Sequence, residues 1–182
     1  MAKLISKIYG DALYELSIER NMTDALMDEV RAVITIFSDN PQFDKLMKHP
    51  KIVREEKEEI IEQIFKGRVS DELTGFLKIM ITNDRYKDLM PTLAYYEDRV
   101  KELKNIGIAY VTTAVEMSDT QKKEIRQRLI DTTKYVEMEM NYEVDADLIG
   151  GIVIRIGDRV VDSSIRTKLN DLSRDLKKIQ LN

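Results

Sequence analysis

The chain contains no cysteine and no tryptophan among its 182 residues. Without cysteine, a disulfide framework, a thiolate zinc site and a cysteine nucleophile are excluded together, and the composition suits a reducing cytoplasm. Histidine occurs once, at His49. One imidazole cannot supply both a catalytic base and a metal cluster, and with Pro50 behind it His49 reads as a polar loop residue. There is no apolar run long enough to cross a bilayer, and the amino terminus passes directly into a helical pattern without a signal-peptide core. Membrane association is therefore expected only through another protein. Charge of one sign is scarce too: 29 basic residues face 33 acidic ones, for a net charge of -4. Acids and bases are interspersed, which argues against nucleic acid as a partner.

Motifs for phosphate or cofactor chemistry are also missing. Gly150-Gly151 lacks the Lys-Ser/Thr of a phosphate-binding loop, and no G-x-G-x-x-G follows a strand pattern. A close strand crossing or bulge accounts for that glycine pair. The acidic cluster Glu55-Glu56-Lys57-Glu58-Glu59 is mixed with lysine at helical spacing and reads as a solvated face. No catalytic, metal or cofactor-binding residue is therefore assigned, and a small enzyme using scattered Asp, Glu and Lys is the weakest of the readings.

What is present is two kinds of periodicity. From Leu4 to about Lys104 apolar residues recur at helical spacing, and turn signals cut the segment into roughly six short helices. The first places Leu4, Ile5, Ile8, Tyr9, Ala12, Leu13 and Leu16 on one side. Asn21 or Thr23 is expected to cap the second, Asn40-Pro41 to open the third, Gly67 to end the fourth and Ser70 to cap the fifth. Pro91 sits near the start of the sixth. The period then falls to two. Ile108 to Val115 reads as a buried strand, Ser118 with Gln121 as a capping box, and Ile125, Leu129 and Ile130 as the inward side of the helix behind it. Val136, Met138, Met140, Tyr142 and Val144 alternate with polar residues, as in a strand with one wet face. Leu148 to Ile156 and Arg159 to Val161 flank a Gly157-Asp158 hairpin turn. A last helix, begun by Asp162 or Ser163, carries Ile165, Leu169, Leu172, Leu176 and Ile179 at alternating four and three spacing, close to the seam one helix offers another. The expected architecture is mainly α: a six-helix bundle over residues 1–105, then a small α+β domain over 106–182.

Two helices of the first domain are more apolar than one core contact needs. The apolar arc of the first covers nearly half its circumference, and on the fifth Phe76, Ile79 and Asn83 form a stripe beside the Leu73, Leu77, Met80 core stripe. Either these arcs are buried within the bundle, or they leave a groove for an amphipathic helix of another protein. A helical adaptor module of no particular family is one reading of the second case.

These residues also resemble a known family: the delta subunits of F-type ATP synthases, related to the mitochondrial oligomycin-sensitivity-conferring protein. The most specific stretch runs from Val144-Asp145-Ala146-Asp147 through Gly150-Gly151 and Ile152-Val153-Ile154-Arg155-Ile156-Gly157-Asp158 to Asp162-Ser163-Ser164-Ile165-Arg166. It is similar to the family's C-terminal signature. Tyr9 and Ala12 match the core of the family's opening helix, and Asn83-Asp84-Arg85, placed in the fifth helix, agree as well. The resemblance implies a non-catalytic stator subunit without cofactors, whose bundle binds the amino-terminal helix of an alpha subunit through Tyr9, Ala12, Ile79 and Asn83, with Phe76 from the same stripe. It implies further that the C-terminal domain meets the b subunits of the peripheral stalk, with Leu169, Leu172 and Leu176 as the contact. A mitochondrial relative would need a transit peptide, so the expectation is a bacterial protein held on the cytoplasmic face of the cell membrane by its complex.

Overall fold

The computed structural model describes the backbone of residues 2–179 and the side chains of residues 4–177. It divides into two compact units, Met1–Lys101 and Glu102–Asn182. Helices α1 (Ala2–Glu19), α2 (Thr23–Asp39), α3 (Pro41–Met47), α4 (Arg54–Phe65), α5 (Asp71–Thr82) and α6 (Leu89–Leu103) account for the first, α6 running two residues past its boundary. A 3-10 turn at Tyr86–Asp88, which periodicity does not reveal, leads into α6. One core collects Leu13, Leu26, Val30, Phe65, Leu77, Leu93 and Tyr96, all essentially solvent-free. Around Phe37 an aromatic group gathers, with Phe43, Phe65 and Tyr86 ring centroids 5.1, 6.1 and 6.2 Å away. Such pairs add to area burial because ring edges and faces attract.

Helix ends follow the local chemistry, though not always at the expected residue. Ser70 caps α5, its hydroxyl accepting from the Leu73 amide at 3.3 Å while donating to Glu29 Oε2 at 2.6 Å. Gly67 takes φ +75 just beyond α4. The expected cap of α2 at Asn21 or Thr23 is not formed: Met22 holds the N-cap position with no side-chain bond. Asn21 serves the preceding helix instead, at φ +53, with Met22 N donating to Ser17 O and Asn21 N to Ile18 O. That pair of bonds is a Schellman close, and Asn tolerates the left-handed region it needs. Asp84 ends α5 identically, so Asn83-Asp84-Arg85 lies just past the helix and not within it. Asn40 likewise turns back, its amide donating to Ile36 O at 2.8 Å, while Pro41 opens α3.

In the second unit, β1 (Ile106–Thr113), α7 (Asp119–Thr132) and β2 (Glu137–Val144) form a parallel crossover, and β3 (Ile152–Ile156) and β4 (Arg159–Asp162) complete a sheet of order β2-β1-β3-β4 with antiparallel pairing. Helix α8 (Ile165–Ile179) follows. The Ser118–Gln121 capping box is present at α7, and Gly157 supplies φ +56 in the two-residue turn between β3 and β4. Gly107, Ala109, Val111 and Thr113 of β1 pair with Met138, Met140, Tyr142 and Val144 of β2 on one face. That face is buried at Ala109, Val111 and Met138, but Tyr142 and Val144 emerge into solvent at the end of an edge strand. Ile125, Leu129 and Ile130 of α7 are half-buried rather than sealed inside. Four boundaries move: β1 starts and ends two residues early, residues 146–148 are a 3-10 turn so that β3 begins only at Ile152, and α8 is capped by Ser164. Asp162 supports that cap by accepting from Ser164 N at 2.8 Å and from the Thr167 hydroxyl at 2.8 Å. Those bonds hold its carboxyl below the usual range.

Candidate docking faces

Along α1 the residues at 6, 10, 13 and 17 face inward, Ser6, Gly10, Leu13 and Ser17 all being buried. Gly10 is there because a Cβ would come within 2.4 Å of the Tyr95 ring of α6. Tyr95 in turn donates to Asp11 at 2.9 Å, and the Arg99 guanidinium lies 5.0 Å from the Tyr14 ring, which fixes that side of α1 to α6. With α1 so oriented, the rest of its apolar arc is only partly covered, Tyr9 alone of it packing against the core cluster. Leu4, Ile8 and Ala12 point to solvent, and Ile5, Tyr9 and Leu16 are half-buried between the two zones.

The other wall of this zone is α5. Phe76 is buried at 8% exposure and forms part of the core, whereas Ile79, one turn on, is 51% exposed. Asn83, at the C-cap, donates through Nδ2 to the Tyr9 hydroxyl at 3.2 Å, tying the end of α5 to α1. Tyr9 and Asn83 are thus brought together directly; Ala12 and Ile79 are open, and Phe76 lies beneath the surface. The product is an apolar strip with a polar clasp, suited to burying a partner's apolar residues.

On α8, Ile165, Leu169, Leu172 and Leu176 are all exposed, Leu172 at 57%. Ile179 occupies the next seam position, with its side chain outside the described residues. A helix with four successive apolar residues of one stripe exposed is incomplete in isolation. Among the described residues no group of three His, Cys, Asp or Glu could hold a metal ion, and His49 is exposed in a loop, its Nδ1 accepting from Lys51 N at 3.2 Å. Among the same residues no helix is long and apolar enough to cross a membrane. Sequence reasoning missed a cleft in the second unit, because it placed Val115 and Ile149 inside strands. Both lie in loops, 72% and 62% exposed.

Comparison with known proteins agrees over nearly the full length. A family model described as ATP synthase delta (OSCP) subunit matches residues 5–176. A protein named ATP synthase subunit delta from Lachnoclostridium phytofermentans is 53% identical over 181 residues, covering 100% of both chains. One of the same name from Prochlorococcus marinus is 31% identical over 93% of this chain and 94% of its own. In a cryo-EM structure of the Toxoplasma gondii mitochondrial ATP synthase hexamer, one chain superposes with a TM-score of 0.73 over 94% of this chain and 96% of that one; at 16% identity this speaks for the fold alone.

Proposed function

Because the chain belongs to the ATP synthase delta (OSCP) subunit family, the non-catalytic linking subunits of the peripheral stalk of F-type ATP synthase, we propose that its two units divide the linkage between them. Residues 1–105 act as a six-helix bundle that receives the amino-terminal helix of an alpha subunit of the catalytic head. Tyr9, Ala12, Phe76, Ile79 and Asn83 form its seat, widened by Leu4 and Ile8. Residues 106–182 act as an α+β domain that meets the end of the stalk's b subunits through Leu169, Leu172 and Leu176. The chain sits on the cytoplasmic side of the membrane, held there by its partners and not by lipid.

The observation that carries this reading is the exposed strip between α1 and α5, with Ile79 half in solvent beside the Tyr9–Asn83 clasp. Burying an apolar side chain there contributes about 1.5–3 kcal/mol. Several anchors in a row give the slow dissociation that a stator under torque requires. Burial under a partner helix makes a carboxylate placed at position 79 costly.

Ile79→Asp in the assembled enzyme separates this from a passive role. ATP hydrolysis by the head should persist while ATP-driven ion pumping into vesicles falls, and a low-ionic-strength wash should release more of the head. Full pumping with the head retained would contradict the proposed seat.

A further inference from the structure

A cleft of about 340 Å³ opens in the second unit between the loop after β1 and the loop before β3. Val115, Met117, Ile125, Ile149 and Ile152 give it an apolar lining, Glu116 and Glu124 are the charged groups on it, and no lysine or arginine lines it. Neither glutamate forms an ion pair among the described residues. Ile149 holds φ +66, a conformation that a β-branched residue rarely accepts, and presents its side chain outward.

The cleft is continuous with the seam of α8. Gly150 lines the cleft, its carbonyl accepts from the Ile165 amide at 2.9 Å, and a Cβ on Gly150 would lie 2.7 Å from Ile165 Cδ1. Ile165 is the first seam residue and remains partly exposed. From it Leu169, Leu172 and Leu176 extend the apolar track by about 16 Å at 1.5 Å per residue. Charges along the track are mixed at its far end, where Asp171, Arg174 and Asp175 lie beside Leu172 and Leu176, and of one sign beside the seam at its cleft end. Arg166 and Lys168 flank the seam at its cleft end, and Lys168 has no ion-pair partner among the described residues; the cleft beyond carries only carboxylates.

We propose that α8 and this cleft form one docking track for a single amphipathic helix, whose apolar stripe is edged by carboxylates opposite Arg166 and Lys168 and whose end brings a basic residue to Glu116 and Glu124. The inference rests on the reading that α8 meets the stalk, and adds to it a second contact and the charge pattern of the partner. Like charges placed across such a contact select against other helices.

Fluorescence anisotropy on the full chain, with designed helical peptides of about 20 residues, tests it. One peptide carries leucines at four-three spacing, glutamates beside them and a terminal lysine; a second reverses those charges. The first should bind about tenfold or more tighter at low salt, and the preference should shrink as salt screens the flanks. Leu172→Asp should abolish binding. Ile149→Gly removes the side chain while relieving the positive φ, so it should leave thermal stability equal or higher yet weaken binding about fivefold. Loss with Leu172→Asp but unchanged binding by Ile149→Gly would remove the cleft from the track and leave the α8 reading standing. Unchanged binding by Leu172→Asp would overturn both. Equal affinity for the two peptides, binding of neither, or displacement of the first by vesicles of anionic lipid would overturn the charge pattern.

Discussion

Single residues carry more of this architecture than their number suggests. Gly151 sits at φ +82, and a Cβ there would approach the Ser163 carbonyl oxygen to 2.4 Å, a backbone atom that cannot swing aside. Gly151→Ala should therefore cost about 1–3 kcal/mol in denaturant unfolding, from strain and overlap together. The glycine pair, expected at a strand crossing or bulge, lies instead in the loop before β3, where it lets the segment entering α8 pack close. Glu62 is another such residue. Hydrogen bonds from Lys66 and Lys78, with their charges, lower its pKa from 4.5 to about 2. A carboxylate depressed in the folded state adds stability above its ordinary pKa and loses it as pH falls through the folded value. Glu62→Gln should accordingly be less stable than the native chain near neutral pH, and the gap should close between pH 4.5 and about 2. Unfolding curves at several pH values would show this; a gap unchanged across that window would refute it.

Elements differ in how fully their sequence declares them. The capping box at Ser118 is legible because its two residues bond reciprocally within four positions, Gln121 N to Ser118 Oγ and Ser118 N to Gln121 Oε1. Since none of α7's side chains is fully buried, the box supplies a large part of its support. Ser118→Ala should cost about 1 kcal/mol, visible as faster amide exchange in the first turn of α7. Asn21 closes α1 instead of opening α2, whereas Asn40 holds the N-cap position of α3 as expected while its side chain turns back to α2; an Asn between two helices can serve either, and only the chain's path decides. The surplus apolar arc on α1 was visible from spacing, but not which part would be covered. That depended on Gly10 letting Tyr95 approach, a contact 85 residues apart along the chain. Ile149 and Val115 were misplaced because an apolar β-branched run signals a strand whether or not the backbone continues as one.

At the scale of the whole molecule, the proposed function rests on what each unit leaves unburied. The first unit completes a core yet keeps Leu4, Ile8, Ala12 and Ile79 outside it, and the second leaves Ile165, Leu169, Leu172 and Leu176 of α8 exposed. A chain with a net charge of -4 and no chemistry of its own is thereby supplied with two apolar faces, one on each unit, which is what a link between two larger bodies needs. The most direct test is a calorimetric titration of the chain with a peptide of the alpha subunit's amino-terminal helix. The native chain should bind with a negative heat-capacity change, the mark of apolar burial, and Ile79→Asp should lose about tenfold or more in affinity. Undiminished binding by Ile79→Asp, or no binding by the native chain, would contradict the account.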